Sequence, residues 1–284
     1  MNIAISTLAF SGLSAEEIIQ YAVKNSWAIE FSSGLPYKMD MSDIFKNAPI
    51  TKYLHNYFPA PEIPFVLNLA SENNEILNAS VTHCKNGLRL AHNAKIPFFS
   101  AHAGFCIDPK PQELGKKLQQ PNNFNRSKHW HIFISAVTEI CQFANTLNVK
   151  FLIENNVLAS FNLSGEGKNP LFCCDALELV KMLENVNHSS LGLLLDTAHL
   201  LVSANTLKFD LKPAVEKLAP FIYCIHHSEN DGIRDTNEPL TKNYWFHQHL
   251  PKFPNCLHVL EIRNVKPAEI PSQISLLNLH EPKS

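Results

Sequence analysis

The feature that most limits what this chain can fold into is an alternation. Eight short apolar runs recur along the 284 residues, and most are followed by a longer stretch of helical character. The runs are Ile3–Phe10, Trp27–Phe31, Lys52–Phe58, Pro97–Ser100, Val149–Ile153, Leu191–Leu195, Phe221–Ile225 and Cys256–Leu260. Nearly unbroken apolar runs belong to strands buried on both faces. Strand followed by helix, repeated, gives a parallel sheet covered by helices. Helix is expected after Ser14, where Glu17 completes a capping box, and over about 72–93. It is expected again through Phe133, Val137, Ile140, Ala144 and Leu147, around 176–183, and over 267–277. Eight such units predict an α/β chain with a single (β/α)₈ barrel, one domain spanning residues 1–284. Barrels of this kind run roughly 250 residues, and the 45% apolar content supplies the core.

Other classes are disfavoured. Glycine is scarce, and no GxGxxG or Walker A motif opens a helix, so a dinucleotide or P-loop fold does not fit. A formal net charge of −2 gives no long-range attraction to nucleic acid. No apolar run approaches the roughly 20 residues of a membrane span. The start, MNIAISTLAFSGLSAEE, lacks the positive segment of a signal peptide. Seven cysteines without a CxxC pair, two of them adjacent at Cys173 and Cys174, read as reduced thiols, with Cys224 and Cys256 as packing. The location expected is cytoplasmic.

The chemistry lies where the strands end. Five of the eight runs lead into an acid or a histidine: His102, Glu154, Asp196, His226 and Glu261. His55 lies inside a sixth. A carboxylate after a buried strand is costly to desolvate without a partner. In a parallel barrel these ends converge on one face, where active sites sit. Three converging carboxylates repel one another, and a divalent cation relieves that repulsion. Glu154, Asp196, His226 and Glu261 are therefore the expected metal ligands, with Mn, Mg, Co or Zn as the ion. Glu30 is read as a salt-bridge partner. His83, His92, His129, His131, His247 and His249 lie in helical sequence and receive no role.

These residues resemble a known family, the xylose isomerase-like barrels that include sugar isomerases, sugar 3-epimerases and endonuclease IV. The likeness runs over nearly the whole chain. Asp196-Thr197-Ala198-His199 is similar to the family's D-x-x-H after strand six, and His226-His227-Ser228-Glu229 to its H-x-x-D/E after strand seven. The spacing to Glu229 selects His226 over His227 as ligand. The resemblance also implies an outer set of metal or substrate ligands, His55, His102, His199 and Asp235, as in endonuclease IV, and Glu229 is a further candidate ligand. Asn237 stands where that enzyme's D-x-H has histidine, which argues against a full three-zinc site.

The leading expectation is a metal-dependent isomerase or epimerase acting on a sugar or sugar derivative. Glu154 and Glu261 would exchange a proton with the two faces of one carbon. His199 and Arg263 would orient hydroxyls, and Arg234 would meet an anionic group. The long segments 107–126 and 156–172 would cover the site; the lysines and arginine of the first, Lys110, Lys116, Lys117, Arg126 and Lys128, read as a solvated face. The alternative is an endonuclease IV-like phosphodiesterase, and a third reading is a dehydratase or a metal-binding barrel without activity. The partners implied are a small-molecule sugar and, in a homo-oligomer, copies of the same chain; nucleic acid and membrane are not among them.

Overall fold

The structure, a computed structural model, describes residues 1–119 and 124–278. Residues 120–123 of the long segment after the fourth run, and the last six residues of the expected domain, lie outside the described residues. Eight parallel strands form the barrel: β1 (Asn2–Ser6), β2 (Ala28–Phe31), β3 (Lys52–Leu54), β4 (Phe98–His102), β5 (Lys150–Glu154), β6 (Leu191–Asp196), β7 (Ile222–His227) and β8 (Leu257–Leu260). Their hydrogen-bonded order is β3-β2-β1-β8-β7-β6-β5-β4. The remaining seam, between β3 and β4, is bridged only at His55 and Ser100. There Asn56 N donates to Ser100 O at 2.6 Å, and His55 Nδ1 meets Ser100 Oγ at 2.8 Å.

Helices α1 (Ala15–Asn25), α2 (Met41–Asn47), α3 (Asn74–Asn93), α4 (Arg126–Thr146), α5 (Ala176–Val186), α6 (Thr197–Leu207), α7 (Leu211–Leu218) and α8 (Ile270–Leu277) fill the connections. The capping box at Ser14 forms in both directions: Glu17 N donates to Ser14 Oγ at 3.3 Å, and Ser14 N to a Glu17 carboxylate oxygen at 2.8 Å. Between β7 and β8 a 3₁₀ stretch, Trp245–Lys252, with Pro251 inside it, takes the place of an α-helix. None of the described helices is long and apolar enough to cross a membrane.

Two apolar runs end sooner than their composition suggests. The first turns after Ser6 into a 3₁₀ segment, Thr7–Phe10, because Ser6 Oγ accepts from Leu8 N. The third stops at Leu54, because Asn56 adopts a left-handed φ of 50° that an extended strand cannot hold.

Strand alternation divides the core in two. Ala4, Phe98, Leu152, Leu194, Cys224, Leu257 and Val259, with Ala28 and Tyr53 against them, form one cluster drawn from all eight strands. It is the plug inside the barrel. Alternate residues such as Ile5, Phe31, Phe99, Phe151 and Ile225 belong to a second, larger cluster beneath the helices. All seven cysteines are buried free thiols, and Cys224 belongs to the plug.

Candidate metal centre

The polar site stands one layer above the plug. Side chains two apart on a strand share a face. Ala28 in the plug therefore puts Glu30 above it, Leu152 puts Glu154, Leu194 puts Asp196, Cys224 puts His226, and Val259 puts Glu261. His55 and His102 join from the seam side, at the ends of β3 and β4. The register aligns them laterally, with His102 opposite Glu154 and Asp196 opposite His226.

Each of Glu154, Asp196, His226 and Glu261 offers a ligand atom within 4.8 Å of the others. That is near the separation of about 4 Å across an ion with bonds of about 2.0–2.2 Å. His226 Nδ1 faces all three acids, at 3.1 Å from Glu261, 3.8 Å from Glu154 and 4.0 Å from Asp196. Its Nε2 lies 3.1 Å from Glu30 Oε1. Glu30 thus pairs with this histidine rather than with a lysine or arginine. It fixes the ring so that Nδ1 looks into the cluster, as outer carboxylates do for metal-bound histidines. Asp196 also caps α6, its Oδ1 accepting from His199 N at 2.7 Å. Asn155 holds the strand end, with Asp196 N donating to Asn155 Oδ1 at 2.8 Å.

The residues fit a cation on two counts. Glu154 Oε1 and Asp196 Oδ2 are buried with no aligned hydrogen-bond donor, which is costly for a carboxylate unless something positive meets it. His226 has acceptors on both sides, Glu30 and Glu261, so both ring nitrogens need a proton unless a cation replaces one. Burial resists charging that ring, but Glu30 and Glu261 outweigh it and raise its pKa well above the ordinary histidine value. Burial likewise works against ionising Glu154, yet His102 and His55 pull its pKa below the usual range. Asp196 goes the other way: burial, then repulsion from Glu154 and Glu261 against the pull of His199, pushes it up to about 7.

A second group shares Glu154. His55 Nε2 and His102 Nδ1 lie 3.1 and 3.2 Å from Glu154 Oε2, and the three could hold an ion of their own. His199 completes the wall. Its Nδ1 donates to Asn155 O at 2.9 Å and its Nε2 sits 3.2 Å from Asp235 Oδ2. Burial disfavours its charge, and Asp196 and Asp235 overcome that, raising its pKa well above normal.

Next to His226, His227 points the opposite way, out of the barrel. Its Nε2 meets His258 Nδ1 at 2.9 Å and its Nδ1 meets Tyr244 Oη at 2.9 Å. His258 Nε2 donates to Phe253 O, so His258 Nδ1 accepts from His227 and both rings are neutral. Tyr244 Oη lies 2.6 Å from Thr197 Oγ1, which is itself 2.9 Å from the carbonyl oxygen of His226.

A cavity of about 810 Å³ opens over the cluster, with His102, His199, Asp235, Asn237, Arg234 and Arg263 on its lining. Of the residues singled out from sequence, Glu229 does not join. Its backbone pairs with Glu238, which turns its side chain to Thr241 Oγ1 at 3.2 Å. The selection of His226 over His227 therefore rests on strand alternation, not on the spacing to Glu229. The sequence reading makes Glu30 a salt-bridge partner without identifying its histidine, while Asn155 and the His227–Tyr244 group went unrecognised in the sequence. The signal for Glu30 was a carboxylate inside an apolar strand, and for Asn155 an amide directly after Glu154.

A family model described as xylose isomerase-like TIM barrel matches residues 36–271. No curated protein matches the sequence. Among solved structures, a D-tagatose 3-epimerase-like protein is similar with a TM-score of 0.71 at 16% identity, over 98% of this chain and 98% of that one. The 3-keto-D-glucoside 4-epimerase YcjR from E. coli gives 0.68 at 11% identity, over 98% and 99%. A Thermus thermophilus protein, TTHB071, soaked with ZnCl₂, gives 0.64 at 17% identity, over 99% and 100%. At these identities the likeness shows the fold alone.

Proposed function

Because the chain belongs to the xylose isomerase-like TIM barrel family, we propose that it is a metal-dependent isomerase or epimerase of a sugar or sugar derivative, a single barrel domain with its site on Glu154, Asp196, His226 and Glu261. The observation that carries this reading is the buried convergence of three carboxylates on one imidazole nitrogen, with carboxylate oxygens left unmet. The epimerases among the similar structures support the reaction class. A divalent ion held there would polarise a sugar carbonyl and acidify the adjacent C–H. Glu154 and Glu261, on strands either side of β6 and β7, serve as the two proton carriers. The contacts of His55 and His102 to Glu154 hold that carboxylate in its ionised, accepting form. His199, fixed by Asn155 and Asp235, orients a substrate hydroxyl, and Arg263 at the cavity mouth orients another.

The test is solvent deuterium exchange into a panel of ketohexoses and their derivatives. Glu154→Gln and Glu261→Gln should each lower exchange by at least a hundredfold. Exchange at the wild-type rate in either variant removes the two-carboxylate mechanism.

The His55–His102–Glu154 group favours one second reading, a two-metal phosphodiesterase of the endonuclease IV kind. Nicking of abasic duplex DNA with zinc or manganese decides it. Two bound ions per chain with no nicking would assign the second ion to the sugar chemistry instead.

A further inference from the structure

The cavity over the cluster is larger and less uniform than a free sugar needs. Its volume of about 810 Å³ lies in the upper part of the roughly 300–1,000 Å³ range that holds drug-sized ligands. Its walls differ. Tyr57, Phe65, Phe105, Leu118 and Phe161, from the loops after β3, β4 and β5, give one apolar wall. Part of that wall is already set: Phe65 N donates to Tyr57 Oη at 2.6 Å, and the two rings pack edge to face at 5.6 Å. Arg234 and Arg263, after β7 and β8, stand on the side that the barrel order places opposite.

Neither guanidinium has a carboxylate within ion-pair distance among the described residues. The acid nearest in sequence on the N-terminal side, Asp231, is occupied: its Oδ1 accepts from Ile233 N and Arg234 N at 2.8 Å each. Asp235 faces His199. Arg263 N donates to Asn237 O at 2.7 Å, which ties the two arginine-bearing loops together. Loops at the same end of the barrel carry exposed apolar side chains, Met39 (90% exposed), Ile63 (81%) and Ile233 (57%).

Resting on the sugar reading above, we propose that the substrate is a conjugated, anionic sugar: the sugar lies on the metal cluster, an oxyanion attached to it is held by Arg234 and Arg263, and an apolar or aromatic substituent beyond the oxyanion lies along the Tyr57–Phe65–Phe105–Phe161 wall. Two guanidiniums match an oxyanion with paired N–H donors, which a neutral hydroxyl does not exploit. The aromatic wall offers area that a free hexose leaves wet.

Titration calorimetry with phenyl phosphate, inorganic phosphate and benzoate tests this on the full chain loaded with its divalent ion. Phenyl phosphate should bind at least tenfold more tightly than inorganic phosphate, and Phe161→Ala should erase that margin while inorganic phosphate still binds. Arg234→Ala and Arg263→Ala should each weaken phenyl phosphate about tenfold, a step of 1.4 kcal/mol. Benzoate binding as well as phenyl phosphate identifies the oxyanion as a carboxylate; weaker binding identifies a phosphate. Equal binding of phenyl phosphate and inorganic phosphate, or binding indifferent to both arginine changes, overturns the proposal even where ketohexoses exchange deuterium. Arginine-dependent binding with no exchange into any sugar upholds the anionic site and overturns the epimerase reading instead.

Discussion

His226 and His227 are neighbours in the chain, fully buried, and on one strand. They live in opposite electrostatic worlds. His226 faces into the barrel among Glu30, Glu154, Asp196 and Glu261, and its pKa is raised despite burial. His227 faces the helices, bonded to His258 and Tyr244. Burial, reinforced by His258, His226 and His247, drives its pKa well below normal. Burial alone therefore does not decide the charge of a histidine. The partners that strand alternation supplies decide it. The inner face collects acids that could hold a cation, and the outer face builds a neutral hydrogen-bonded group that supports the strand carrying the proposed ligand.

Replacing each histidine in turn breaks the comparison most directly. His226→Ala should cost at least a hundredfold in divalent-metal affinity by calorimetry, since it removes the one nitrogen among the four proposed ligands. His227→Phe should leave that affinity within a fewfold and instead cost about 1–3 kcal/mol in chemical denaturation, as the Tyr244 hydroxyl and His258 lose their partner. Equal loss of metal affinity in the two variants would sink the division between faces.

Glu30 sharpens the inner half. Its carboxylate touches His226 Nε2 and none of the metal-facing atoms of that ring. Glu30→Gln keeps the shape and removes the charge. Metal affinity should fall about 10–100-fold, the range for outer partners of ligating histidines, with Glu154, Asp196 and Glu261 intact. Affinity equal to wild type would mean that Glu30 serves the fold alone.

The same two faces explain what could be read from the sequence. Glu154, Asp196 and Glu261 stood out because each directly follows at least two apolar residues at the end of a buried run, with Lys150 the one charge inside those runs, and the barrel brings such ends together whatever the loops do. Glu30 did not, because Ala-Ile-Glu-Phe reads equally well as a strand with a salt bridge, and its partner lies on β7, 196 residues away. The doublet His226-His227 carries no phase of its own; only Cys224 in the plug tells which ring points inward. Helix α6 left no amphipathic signal because Thr197, Ala198, His199, Leu200, Val202, Ser203 and Ala204 are all buried, so its apolar pattern is flat around the axis. The two-walled cavity was illegible for another reason. Its lining comes from segments at or after the ends of seven different strands, β2 to β8, and no local pattern relates them.

The smallest expected effect is the dependence of stability on pH, and here His226 and His227 should carry opposite signs. Histidines 226 and 199 have folded pKa values above the unfolded value of about 6.5, so in metal-free protein their contribution is complete below that pH and is lost as pH rises through the folded values. His227 has a folded pKa below it, so its contribution is present above about pH 6.5 and is lost as pH falls. Denaturation of chelator-treated protein should therefore show the advantage of wild type over His227→Phe shrinking from pH 6.5 to 5, while the loss on the alkaline side persists in both. Saturating metal should reduce the alkaline loss by the His226 share, because the ion would take the place of the proton on His226 Nδ1. The same exchange should release protons when metal is added to weakly buffered protein near neutral pH. Metal uptake without proton release would show that His226 is already neutral, and that its two acidic neighbours do not outweigh burial.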